Sequence, residues 1–147
     1  LRTATNSLLD LAAASAGHRI LLSHASEVKI ERWAEVPKSN PDVEEVQIEV
    51  QRGLILIDLP PLSAASKFEL KGSNFVAGVR AGPTVAAINA DGSVLVQAGT
   101  IVYLLVSSTD SKVTAFTLNP GQMFDPVALT VKRIPSSSNQ VWHPFFK

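Results

Sequence analysis

The chain has 147 residues, one domain's worth of sequence, and its 46% hydrophobic content supplies a sizeable core and excludes a disordered tail. Thirteen basic residues balance thirteen acidic ones, so no net charge draws the protein to nucleic acid or an anionic membrane. Cysteine is absent, which excludes disulfides, thiolate metal sites and cysteine nucleophiles. Charged residues make up 18%, below the roughly 25% of an average domain, so either strands are buried on both faces or a partner covers part of the surface.

A chain opening on Leu1 reads as a piece of a longer precursor. The run Leu8-Leu9-Asp10-Leu11-Ala12-Ala13-Ala14-Ser15-Ala16 has the small residues of a signal-peptide cleavage region. The aspartate in its middle and the lack of a basic residue just before it argue against one. Residues 1–24 keep two readings open. In the preferred one, Leu9, Leu11 and Ala13 share a strand face, Gly17 turns the chain, and Arg19–Ser23 returns as a second strand. In the other, Ala12–Ala14 favour helix.

From Glu27 onward, period two dominates. Glu27-Val28-Lys29-Ile30-Glu31, Glu45–Gln51, Lys67–Lys71 and Val127–Lys132 all alternate, and a helix would scatter their apolar side chains over divergent faces. Residues 37–41 form a connecting loop, and the paired prolines of Pro60–Ser66 make another. Asp91-Gly92 predicts a type I′ hairpin turn. In Asn119-Pro120-Gly121, proline presets the second turn position and glycine takes positive φ at the third. Ser107–Lys112 is a longer polar hairpin loop. Ile101–Val106, wholly apolar, must be a central or covered strand, because it would aggregate on an open edge. No apolar run approaches the roughly 18 residues of a membrane-spanning helix.

The order of short motifs from Val46 to Phe124 resembles the FecR-like domain family. The run contains Gly53–Pro60, Ser66–Gly72 and Val76-Ala77-Gly78-Val79-Arg80. It continues through Asp91–Ile101, similar to a family hairpin, and Leu118–Phe124, similar to its closing "L-x-x-G-Q" strand. Upstream, Leu1–Ser7 and Ser26–Ile30 resemble two earlier family strands. One departure stands out: the family's Arg-Gly-Thr is expanded here to Arg80-Ala81-Gly82-Pro83-Thr84, which alters the tight turn after the arginine. The resemblance implies an all-β, extracytoplasmic domain. The family's best-known members relay a signal from an outer-membrane transporter to a cytoplasmic sigma factor; many others are secreted or surface proteins.

Candidate chemistry is sparse. His18 and His24 lie about 20 Å apart along an extended strand, and His143 sits far away near the C-terminus, so no metal set forms. Glu27, Glu31, Glu35 and the Glu44-Glu45 pair fall on solvated strand faces. Asp58 interrupts an otherwise apolar strand and, if buried, needs a partner; Arg80 is the candidate for a structural ion pair. No nucleophile elbow or phosphate loop is present.

The polar linker Pro135–Asn139 precedes Gln140–Lys147. That final segment holds one of the two tryptophans and two of the six phenylalanines. Val141, Trp142, Phe145 and Phe146 are therefore candidate partner-binding residues, with folding back onto their own sheet as the alternative. Residues 27–69 carry nine acids and five bases, and residues 100–147 two acids and four bases, a charge split that suits head-to-tail contact.

The expectation is an all-β domain over residues 1–134, an antiparallel β-sandwich or flattened β-roll of about ten short strands, with a β-helix-like coil as the alternative. Residues 135–147 follow as linker and aromatic tail. The expected role is non-enzymatic and cofactor-free: an extracytoplasmic protein-interaction module, a self-assembling homo-oligomeric surface or filament subunit. It is expected to bind no nucleic acid and insert in no membrane. The alternative is the periplasmic sensory or regulatory domain of a FecR-type signalling protein.

Overall fold

In a computed structural model of the chain, the alternating segments build two stacked β-sheets, and no helix occurs among the described residues. The structure describes residues 9–13, 18–22, 26–36, 43–60, 67–80, 83–107 and 109–134. The first strands are β1 (Leu9–Ala13), β2 (His18–Leu22), β3 (Glu27–Val36), β4 (Val43–Arg52), β5 (Leu54–Leu59) and β6 (Lys67–Lys71). They continue with β7 (Phe75–Val79), β8 (Thr84–Asn89), β9 (Val94–Ala98) and β10 (Ile101–Val106). The last are β11 (Val113–Leu118), β12 (Gln122–Asp125) and β13 (Thr130–Arg133), which makes thirteen strands among the described residues against the expected ten or so. Leu9–Ala13 and His18–Leu22 pair antiparallel as two strands, as the preferred reading expects, and not as a helix.

One sheet has seven strands in the order β1-β2-β5-β8-β9-β12-β13, and the other has six in the order β11-β10-β7-β6-β4-β3. This is a sandwich; neither the flattened roll nor the coil describes it. One correction concerns direction: β4 and β6 pair parallel, with Glu45 beside Lys67 and Glu49 beside Lys71, whereas the other strand pairs run antiparallel. The reason is topological. β5 leaves the six-stranded sheet to run back in the other layer, so β6 re-enters beside β4 travelling the same way.

Side chains at every second position fill the space between the sheets. Ile20, Ile55, Ile57, Ile88, Val96 and Phe124 from one layer meet Val46, Ile48, Phe68, Leu70, Ile101 and Tyr103 from the other, all 1% exposed or less. Each such aliphatic side chain contributes about 1.5–3 kcal/mol by leaving water. β10 lies between β7 and β11, so the apolar Ile101–Val106 strand is central, as its composition requires.

Three local expectations are corrected. Asp91-Gly92 does not form a type I′ turn, because only Gly92 has positive φ (103°). The Gly92 N–H donates to the Asn89 carbonyl (3.0 Å) and the Asn89 N–H to the Ser93 carbonyl (2.9 Å), a three-residue loop closed by a left-handed glycine. The side chain of Asp91 accepts from the Ser93 N–H at 2.8 Å, which holds Asp91 at ordinary φ.

Second, Val127-Ala128-Leu129 is a turn and not the start of a strand. Asp125 Oδ1 accepts from the Val127 and Ala128 N–H groups at 2.9 and 3.1 Å, so Val127 ends up 92% exposed. Third, the register of β3 against β4 shifts between Ile30 and Arg32, which leaves Ile30 37% exposed on the edge strand. The Asn119-Pro120-Gly121 turn forms as expected, with Gly121 at φ 84° and the Gln122 N–H donating to Asn119 at 3.0 Å.

Candidate functional site

The outer face of the six-stranded sheet is divided by the register of its strands. Toward β3 and β4 it is charged: Lys71 Nζ lies 2.7 Å from Glu31 Oε2, and that contact lowers the pKa of Glu31 and raises that of Lys71. Toward β10 and β11 it is apolar. Gly78 of β7 stands between Val102 of β10 and Glu69 of β6, and Val76 stands between Leu104 and Lys71. Because Gly78 has no side chain, the sheet dips into a groove of about 260 Å³. Val76, Val102 and Leu104 form its apolar walls, with Lys67 and Arg80 among its polar lining. A Cβ on Gly78 would meet only the Val102 carbonyl, at 3.8 Å, so packing does not demand glycine here. The bare position shapes the surface and does not relieve the fold.

The sequence signal for this groove is Gly78 itself. A glycine inside an apolar strand marks a close approach or a recess.

At one end of the sandwich, Tyr103 ties the layers together. Its ring stacks on Phe75 (5.3 Å) and Phe124 (4.1 Å), with Phe116 edge-on at 6.5 Å. Its hydroxyl donates to the Gly92 carbonyl at 2.9 Å, and burial pushes the phenol pKa well above its usual value.

Nearby, Lys132 Nζ reaches Asp125 Oδ2 at 2.9 Å. That contact, with the two amide donors of the turn, lowers the Asp125 pKa from 3.8 to about 2. A depressed carboxylate stabilises the folded state above its unfolded pKa, and that stabilisation is lost as pH falls through the folded value. The Val127 and Ala128 amide resonances should therefore titrate with a midpoint near pH 2, and in Lys132→Met the midpoint should move up toward an ordinary aspartate. A parent midpoint near 4 would show that the turn is not held by this carboxylate.

The sequence-predicted residues fall as follows. Asp58 sits on the outer face of β5, partly exposed, with Arg19 of β2 and Val85 of β8 as cross-strand neighbours. Arg80 is exposed just after β7 in the opposite sheet, its N–H donating to the Thr100 carbonyl at 3.1 Å. The fold does not bring Asp58 and Arg80 together, because strand alternation turns Asp58 away from the layer that carries Arg80. Val141, Trp142, Phe145 and Phe146 lie outside the described residues, as do His24 and His143. Among the described residues, no group of three or more His, Asp or Glu side chains could hold a metal ion.

A two-sheet β-sandwich with shaped outer faces is the class of protein this fold defines. Its architecture matches two crystal structures of a "putative anti-sigma factor" from Parabacteroides distasonis. They are 10% and 11% identical to this chain, each with a TM-score of 0.66. Each match covers 97% of this chain and 63% of the other, so the chain spans under two thirds of the length of those proteins. No protein-family model matches the chain, and no curated protein does.

Proposed function

We propose that this chain is the extracytoplasmic β domain of a FecR-type signalling regulator, working by protein recognition and without a reaction of its own. The observation that carries the reading is the shared architecture with the Parabacteroides anti-sigma protein over 97% of the chain. The FecR-like order of motifs from Val46 to Phe124 points the same way. The self-assembling surface or filament subunit finds no support in the fold or in these relatives. The groove over Gly78, apolar at its base and rimmed by charge, is the surface we assign to the partner, since a recessed apolar patch with polar edges suits a protein contact.

The test is calorimetric titration of the chain against the signalling domain of the same organism's outer-membrane transporters. Saturable one-to-one binding is expected with at least one of them. Binding to none would remove the regulatory reading. Gly78→Leu should fill the groove and weaken that binding about tenfold or more, equivalent to ~1.4 kcal/mol. Its unfolding free energy in urea should stay within about 0.5 kcal/mol of the parent, because a Cβ there meets only the Val102 carbonyl, at an ordinary 3.8 Å. Undiminished binding by Gly78→Leu would move the contact to another face.

A further inference from the structure

The two sheets do not end together. Phe124 of β12 stacks on Tyr103 of β10 and lies 5.0 Å from the ring of Phe116 on β11, so β12 sits over those two strands. β13 carries its sheet one strand further, while β11 ends the other. Among the described strands, none lies opposite β13. The side chains that turn inward at this margin show an open slot. Phe116 and Val131 pack against the core yet are only half-buried, and Thr114, which pairs with the inward Leu105, is exposed.

The slot is also lined by backbone. The Ser107 N–H donates to the Lys112 carbonyl at 2.8 Å, and the Val106 N–H turns the other way, to the Asn74 carbonyl, also at 2.8 Å. Antiparallel alternation then aims the N–H and C=O groups of Thr114, Phe116 and Leu118 at β10, and those of Val113, Ala115 and Thr117 at the free edge. Edge strands are ordinarily guarded by charge, proline or a bulge. β1 holds Asp10, β3 holds Glu27, Lys29 and a register shift, and β13 holds Lys132 and Arg133. β11, Val-Thr-Ala-Phe-Thr-Leu, has none of these, and its Val113 is 58% exposed.

Charge selects the occupant. The Asn119-Pro120-Gly121 turn joins β11 to β12, and β12 and β13 run antiparallel, so Leu118 and Arg133 lie at the same end. Arg133 falls on the same side of β13 as the inward Val131. A strand added antiparallel to β11 starts at that end. A second copy of β11 would bring its own Lys112 there, a like charge beside Arg133, whereas an acidic residue is complementary. We infer that the slot beside β11 and over β13 receives an extended strand from another protein, with apolar side chains at alternate positions and an acidic one near its N-terminal end. Main-chain hydrogen bonds to Val113, Ala115 and Thr117 supply the affinity, and Phe116, Val131 and Arg133 read the side chains. This site is independent of the regulatory reading and of the groove over Gly78, which lies two strands away.

The test uses the full chain and a short acetylated peptide that alternates valine and threonine after an initial glutamate. Millimolar peptide should slow amide hydrogen exchange at Val113, Ala115 and Thr117 by about tenfold or more. The same peptide N-methylated at alternate residues should not bind, and Gly78→Leu should leave binding of the parent peptide unchanged. Arg133→Glu should weaken the glutamate peptide by about tenfold and favour one with lysine in its place. Unchanged exchange in millimolar peptide overturns the inference, as does binding that survives N-methylation. Slow exchange at these amides in the chain alone, at every concentration, overturns it and gives the edge to the chain itself. Protection that grows with protein concentration overturns it and assigns the edge to a second copy. Equal affinity for the glutamate and lysine peptides overturns the acidic partner.

Discussion

Tyr103→Ala should destabilise the domain by about 3–5 kcal/mol, the usual cost of emptying a large aromatic site in a close-packed core. Tyr103 is 0% exposed, stacked on Phe75 from its own sheet and on Phe124 from the other, so its loss opens a void shared by both layers. Tyr103→Phe keeps the rings and removes only the hydroxyl that donates to Gly92 O. It should cost about 1–3 kcal/mol, the penalty for an acceptor left unpaired.

The same burial fixes a pH dependence. A phenol whose pKa is raised by folding stays neutral in the native state, so its contribution is complete below the unfolded pKa of about 10 and falls as pH rises beyond it. Urea denaturation of the parent should therefore show stability declining above pH 10, with a shallower decline in Tyr103→Phe. If Tyr103→Phe matches the parent in both stability and pH slope, the hydroxyl does not bind the turn.

How much of this was legible in the sequence depends on whether the signal was local. Alternation placed β4 and β6 correctly, because Val46, Ile48 and Val50 or Phe68 and Leu70 sort onto one face whatever their partners are. The parallel pairing of β4 and β6 was not legible, since it depends on β5 joining the other sheet, a property of the whole topology. Val127-Ala128-Leu129 read as strand on hydrophobicity, but the Asp125 side chain offers those amides a turn at lower cost. The apolar outer half of β5 was visible in Leu54-Ile55-Leu56-Ile57; that Leu21, Ala87 and Leu95 align with Leu56 was not, because register is a cross-strand fact.

The candidate site follows the same division. Asp58 and Arg80 paired plausibly by charge type alone, yet which face a residue occupies depends on the layer its strand joins. Gly78 was conspicuous in its strand, but only the pairing with Val102 and Glu69 turns a missing side chain into a groove. Short motifs in a fixed order carried the family resemblance further than any single residue did.

Gly53→Ala should be strongly destabilising, costing about 2–5 kcal/mol. Gly53 is the one residue between β4 and β5, where the chain passes from one sheet to the other, and it does so at φ 83°. A left-handed backbone costs an L-residue about 1–2 kcal/mol. A Cβ there would also collide with the Ser26 hydroxyl and lie 2.7 Å from the Ser26 Cα, a backbone atom that cannot swing aside. Overpacking of this kind adds about 1–3 kcal/mol.

Ser26 has little freedom to move. It is fully buried, and its Oγ accepts from the Leu54 N–H at 3.0 Å while lying 3.2 Å from the Leu54 carbonyl that it donates to. On the other side, the Gly53 carbonyl accepts from the Ala90 N–H at 2.9 Å, so the crossing is held by β3's approach and by the β8–β9 turn together. Two further glycines separate the contributions. Gly121 has nearly the same φ, 84°, with nothing within 4 Å of an added Cβ, so Gly121→Ala should show the conformational cost alone. Gly78 has neither constraint, and Gly78→Ala should be close to neutral. Urea midpoints in the order Gly53→Ala below Gly121→Ala below Gly78→Ala are expected; equal losses at Gly53 and Gly121 would mean that Ser26 yields and that the crossing is not fixed by close packing.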